Sequence, residues 1–159
     1  MTLKAGNKAP AFSLKNQAGE TVALKDFVNK KHVLLYFYPR ASTPGCTVQA
    51  QGIRDHLKAF ADLDIAVIAV SPDPVDKIAK FVDKHELNFH LLADEDHAIA
   101  DKYGVWGLKK FMGKEFMGLI RSTFLIDKNG KLIEQLPKFT TKNHHDVALD
   151  AFKKYLGES

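Results

Sequence analysis

Six consecutive residues, Val33-Leu34-Leu35-Tyr36-Phe37-Tyr38, form an unbroken apolar and aromatic run that stops at Pro39. Successive side chains of a strand point to opposite faces, so a run with no polar member must be covered on both sides. Parallel sheets sandwiched by helices meet that condition. Ile65-Ala66-Val67-Ile68-Ala69-Val70 repeats the pattern. Asn88–Leu92 and Thr123–Ile126 supply two further strands, and Asp127-Lys128-Asn129-Gly130 reads as a hairpin turn into Lys131–Leu136. Near the start, Phe12–Leu14 and Thr21–Leu24 flank Gln17-Ala18-Gly19-Glu20, which predicts an N-terminal hairpin.

Helical patterns separate these strands. Ala50, Ile53, Leu57 and Phe60 recur at spacings of three and four and give one apolar face after Cys46. Asp73-Pro74 reads as an N-cap followed by proline at the first helical position, with Ile78, Phe81 and Val82 behind it. A short helix is predicted after Asp96. The last starts at Asn143, places Val147, Ala148, Ala151, Phe152 and Tyr155 on one side and stops at Gly157. The pattern predicts an α/β architecture, and 159 residues suit a single domain spanning 1–159.

Lys and Arg number 23 against 19 Asp and Glu, a net charge of +4, and the two signs alternate along the chain. That describes a solvated surface and argues against a nucleic-acid stripe. No stretch has the length of a membrane span, and Met1–Gly6 lacks the apolar core of a signal peptide, so a cytoplasmic protein is expected. One cysteine cannot form an internal disulfide. Cys46 is therefore a small buried apolar residue or a reactive thiol, and its surroundings decide which.

Those surroundings are Pro39-Arg40-Ala41-Ser42-Thr43-Pro44-Gly45-Cys46, between a buried strand and an amphipathic helix. Thr43 followed by Pro44 is a helix-start signal that puts Cys46 at the third helical position, near unpaired N–H groups and the positive end of the helix dipole. A dipole worth about 0.3–1 kcal/mol leaves the thiolate a minority species at neutral pH. A guanidinium close to the sulfur is needed to complete the shift.

The spacing Pro39-x-x-x-Thr43-x-x-Cys46 resembles the signature of peroxiredoxins, and Tyr36-Phe37-Tyr38-Pro39 with Thr43-Pro44-Gly45-Cys46-Thr47 is similar to the subgroup called bacterioferritin comigratory protein or peroxiredoxin Q. Leu92–His97, Tyr103–Gly107, Arg121–Asp127 and Asn143-His144-His145 continue the likeness in the same order. The resemblance implies a thioredoxin-like fold with a mixed central sheet flanked by helices and an N-terminal β-hairpin extension. It implies a thiol peroxidase acting on hydrogen peroxide and organic hydroperoxides; no cofactor and no metal are expected. It assigns Cys46 as attacking thiolate, Arg121 as the arginine beside it, Thr43 as the hydroxyl orienting thiolate and peroxide, and Pro39 as the shield against water. A monomer is expected, with no nucleic-acid or membrane partner.

The chain departs from the subgroup at its second sulfur. Many members carry a resolving cysteine where this chain has Gln51, others near Val82, and neither is cysteine here. A sulfenic acid on Cys46 must then be reduced by an external thiol such as thioredoxin, glutaredoxin or glutathione. Gln49 stands where many relatives have glutamate.

Other readings compete. A thiol–disulfide oxidoreductase needs a Cys-x-x-Cys pair that is missing; a non-enzymatic binding or chaperone module on the same fold needs only an ordinary thiol. The seven histidines do not suggest a metal site: His85 and His90 are misspaced for one helix face, His144 and His145 point apart, and His56 and His97 have no partner at ligand spacing. Trp106 and the Phe111–Met117 stretch are expected to pack in the core or anchor a loop, in preference to lining an alkyl-peroxide site or a partner surface.

Overall fold

The computed structural model describes residues 3–157. Seven strands form one mixed sheet in the order β2-β1-β5-β4-β3-β8-β9. These are β1 Ser13–Asn16, β2 Thr21–Ala23, β3 His32–Phe37, β4 Ile65–Ser71, β5 His90–Ala93, β8 Ser122–Ile126 and β9 Leu132–Gln135. Strands β6 Trp106–Phe111 and β7 Lys114–Leu119 form a separate antiparallel pair, and the helices are α1 Pro44–Asp62, α2 Val75–His85, α3 Ala98–Lys102 and α4 His144–Leu156. β3, β4 and β5 run parallel, while β8 lies antiparallel against β3.

The apolar run is buried on both faces, as its lack of alternation requires. Leu34 and Tyr36 join the core under α1, α2 and α4, together with Ile53, Phe60, Ile78, Phe81 and Phe152. Val33, Leu35 and Phe37 join the core on the opposite face, with Ile99, Tyr103 and Phe124.

Boundaries moved for local reasons. The N-terminal hairpin forms, with Asn16 Oδ1 accepting from the N–H groups of Ala18 and Glu20, but Leu24 leaves it for a 3-10 turn. The strand expected at Asn88 starts at His90. α2 begins at Val75 with Pro74 as its N-cap, so Asp73 does not cap it. Tyr155, assigned to the buried face of α4, is exposed near the helix end. The turn at Asp127 holds: Asp127 Oδ1 accepts from the N–H groups of Asn129 and Lys131.

The hairpin β6–β7 was not legible. Its turn is Met112-Gly113, both at positive φ (52° and 78°), and Met112 has none of the chemistry that announces such a turn. The expectation of core packing fails here: Phe111, Met112, Phe116 and Met117 are all exposed, Met112 at 86%. A two-stranded ribbon without a covering layer cannot bury both faces. Only Trp106 at its root meets the expectation, packing against the core and stacking flat on His97, ring centroids 3.9 Å apart.

Candidate active site

β3 ends beneath the start of α1, and the connecting loop is held from below. Ala41 N–H donates to Asp73 Oδ2 at 2.7 Å, and the Ser71 hydroxyl donates to the same oxygen at 2.9 Å. Asp73, buried after β4, thus anchors the loop instead of capping α2. Ser42 turns the chain at φ 66°, and Thr43 enters the N-cap position in extended conformation, φ −81° and ψ 153°. Pro44 is the first helical residue, as expected, and Cys46 the third. Helix geometry leaves the Gly45 and Cys46 N–H groups without an intrahelical acceptor, which favours an anion there.

Arg121 lies between β7 and β8, seventy-five residues along the chain from Cys46, and reaches across the first turn of α1. Its Nη2 donates to Cys46 Sγ at 3.3 Å, and its Nη1 donates to Gln49 Oε1. Gln49 follows Cys46 by three residues on the same helix face and is fully buried. No carboxylate lies within ion-pair distance of Arg121 among the described residues. The guanidinium charge is therefore shared with a neutral amide and the sulfur alone. An anionic sulfur is the species this cation stabilises.

The remaining assigned residues are brought near with different contacts. The Thr43 hydroxyl donates to the Arg40 carbonyl at 2.9 Å, so it does not bond the sulfur here; as an oxygen with free lone pairs it still borders the helix start. Pro39 is partly buried at the end of β3, opening the same loop. Gln51 lies on α1 with Nε2 3.4 Å from His85 Nδ1 of α2, where neither side supplies a second sulfur.

Behind the sulfur the protein is aromatic and neutral. Burial pushes the Tyr36 phenol well above its ordinary value, with Tyr38 and Cys46 adding to the effect and Arg121 opposing it. His144 is buried beside the edge of the Tyr36 ring, 5.0 Å between centroids, with Nε2 2.8 Å from Thr123 Oγ1. Burial, then the neighbouring His145 and Arg121, lower its pKa to about 3, so it is neutral at physiological pH. Sequence reasoning missed Asp73, Thr123 and His144 as supports, because each acts through a contact between elements distant in the chain, and it missed Ser71, which acts on Asp73 two residues on.

Packing also corrects one statement about histidine. His56 has no partner at ligand spacing along the chain, yet α1 lies against α4 and stacks its ring on His145, centroids 4.1 Å apart.

Comparison with known proteins agrees with this arrangement. The sequence profile of the AhpC/TSA family matches residues 5–135. The chain is 49% identical to Peroxiredoxin Bcp of Escherichia coli over 153 residues, 96% of this chain and 97% of that one. It is 50% identical to Peroxiredoxin Bcp of Bacillus subtilis, with the same coverage. Among solved structures, the bacterioferritin comigratory protein of Xanthomonas campestris, studied for alkyl peroxide reduction, superposes with a TM-score of 0.87. That match has 29% identity and covers 96% of this chain and 99% of the other. The thioredoxin-like expectation is met.

Proposed function

This chain belongs to the AhpC/TSA family of peroxiredoxins, and from that premise we propose that it reduces peroxides with Cys46 as the attacking thiolate. The observation that carries the site assignment is the 3.3 Å contact from Arg121 Nη2 to Cys46 Sγ at a helix start.

The chemistry follows from these groups. The Cys46 thiolate attacks one peroxide oxygen in line with the O–O bond. An S–O bond forms as the O–O bond breaks, and the second oxygen leaves with the electron pair and takes a proton as water or alcohol. Cys46 becomes a sulfenic acid. Arg121 holds the thiolate and stabilises charge developing on the departing oxygen; unpaired N–H groups of the first turn add donors on the same side. Thr43 supplies a hydroxyl contact for the bound peroxide, after its bond to the Arg40 carbonyl is exchanged. Pro39, which has no N–H to offer, keeps the mouth of the site from binding water. Hydrogen peroxide and organic hydroperoxides share the attacked O–O group, and both are substrates in this reading.

A thiol reductant closes the cycle. It attacks the sulfenic sulfur, releasing water and forming a mixed disulfide, and a second thiol frees Cys46. Thioredoxin, glutaredoxin and glutathione are the candidates. Cys46 is only 2% exposed, so a bulky thiol reaches it only when the first turn of α1 gives way. The protein works in this reading as a single domain, as a monomer and in the cytoplasm; no helix of the described residues is long and apolar enough to cross a membrane.

Peroxide consumption measured with each reductant in turn tests the proposal. The parent turns over with at least one of them and Cys46→Ser with none. Equal consumption by the two proteins would refute the assignment.

A further inference from the structure

His56, His145 and Asp146 lie where α1 packs against α4, and the peroxide chemistry does not use their side chains. Each offers a donor atom, and the three atoms lie within 4.8 Å of one another. We propose that this cluster is a binding site for a zinc-class divalent ion, with His56 Nε2, His145 Nε2 and an Asp146 carboxylate oxygen as ligands.

The donor atoms follow from their surroundings. His56 Nδ1 is 2.9 Å from the Gly52 carbonyl oxygen, one turn back on α1. A carbonyl only accepts, so Nδ1 carries the proton and Nε2 keeps its lone pair. A second-shell carbonyl fixing the tautomer is how metal-binding imidazoles are commonly oriented. His145 is seated in a notch that exists because residue 52 is glycine: a Cβ there would come within 2.5 Å of His145 Nδ1 and 3.1 Å of Cε1. That edge of the ring is closed by backbone, and Nδ1 is buried without a hydrogen-bond partner. The accessible edge is Nε2, already 3.6 Å from Asp146 Oδ2. In a tetrahedral site with bonds of about 2.0–2.1 Å, ligand atoms stand roughly 3.3 Å apart. The His145–Asp146 pair is close to that spacing. The third ligand needs His56 to turn about its outer torsion, out of the near-parallel stack, which also shifts Nδ1 relative to the Gly52 carbonyl.

Two imidazoles with one carboxylate select zinc-like ions over magnesium or calcium, which prefer oxygen throughout. Three protein ligands leave a fourth position to water. Binding would clamp α1 to α4.

Zinc titration of tag-free protein in the Cys46→Ser background, which removes the competing thiol, tests the site. A chromophoric chelator reads the affinity. One equivalent of zinc binds, and His56→Asn and Asp146→Asn each weaken it at least tenfold, while His97→Asn, outside the cluster, leaves it unchanged. Both substituted residues are at least partly exposed, and far-ultraviolet circular dichroism checks that the variants fold. X-ray absorption at the zinc edge shows two imidazole ligands in the background protein. Absence of stoichiometric zinc, or affinity unaltered in both cluster variants, would mean the rings are a stacked neutral pair and nothing more.

Discussion

β3 and the β6–β7 hairpin are both rich in large apolar side chains, and they end in opposite environments. In β3 every side chain is buried, Leu34 and Tyr36 on one side of the sheet and Val33, Leu35 and Phe37 on the other. In the hairpin Leu108, Phe111, Phe116 and Met117 face solvent. The difference is position in the layers. β3 has a strand on each side and a layer on each face, whereas β6 pairs only with β7. Hydrophobicity along the chain reports what can be buried; the number of layers decides what is. The rigid strand delivers the loop that sets Cys46, and the hairpin delivers Arg121 just beyond its last residue.

The largest effect is expected at Tyr36. Tyr36→Ala removes a fully buried ring and is expected to cost about 3–5 kcal/mol of folding stability, read from the urea midpoint. Arg121→Gln, beyond the other element, should leave the fold standing and slow the reaction of Cys46 with peroxide by about 10²–10³-fold, measured by stopped flow. A loss of stability matching that of Tyr36→Ala would make Arg121 structural instead. Asp73→Ala removes the acceptor for Ala41 N–H and Ser71 Oγ. It is expected to cost about 1–3 kcal/mol, with a slower peroxide reaction as the loop loosens.

His144 makes folding stability depend on pH. Its pKa falls from an unfolded value near 6.5 to about 3 in the folded chain. Between those limits the unfolded state binds a proton that the folded state refuses. The contribution of neutral His144 is therefore complete above about pH 6.5 and is lost as pH falls toward 3, by at most about 1.4 kcal/mol per pH unit. Urea unfolding at neutral and mildly acidic pH should show a weaker decline in His144→Gln than in the parent. The smallest effect belongs to the hairpin tip, where Met112→Ser should change stability by less than about 0.5 kcal/mol.

Much of the fold was legible because its strongest signals are local. The unbroken run of β3, the Thr43-Pro44 helix start and the Asp127–Gly130 turn are each fixed by neighbours in sequence, and each appears where expected. The candidate active site was legible in part: helix-start arithmetic put Cys46 at the third position, and the resemblance supplied Arg121. What escaped depends on pairing across the chain. Asp73 read as a cap because Asp-Pro usually is one, until the loop at Ala41 claimed its carboxylate. The His56–His145 stack needs α1 and α4 side by side, and the Met112-Gly113 turn carries no residue that predicts its first positive φ. Thr43 was expected on the sulfur and is held by Arg40 instead.

Intact-mass analysis after one equivalent of hydroperoxide reaches the central claim most directly. The account predicts one added oxygen per chain, mapped to Cys46 and captured by a sulfenic-acid trap, with a second oxygen following only under excess peroxide because no second sulfur intervenes. A chain that takes up no oxygen at Cys46 while remaining folded would contradict it.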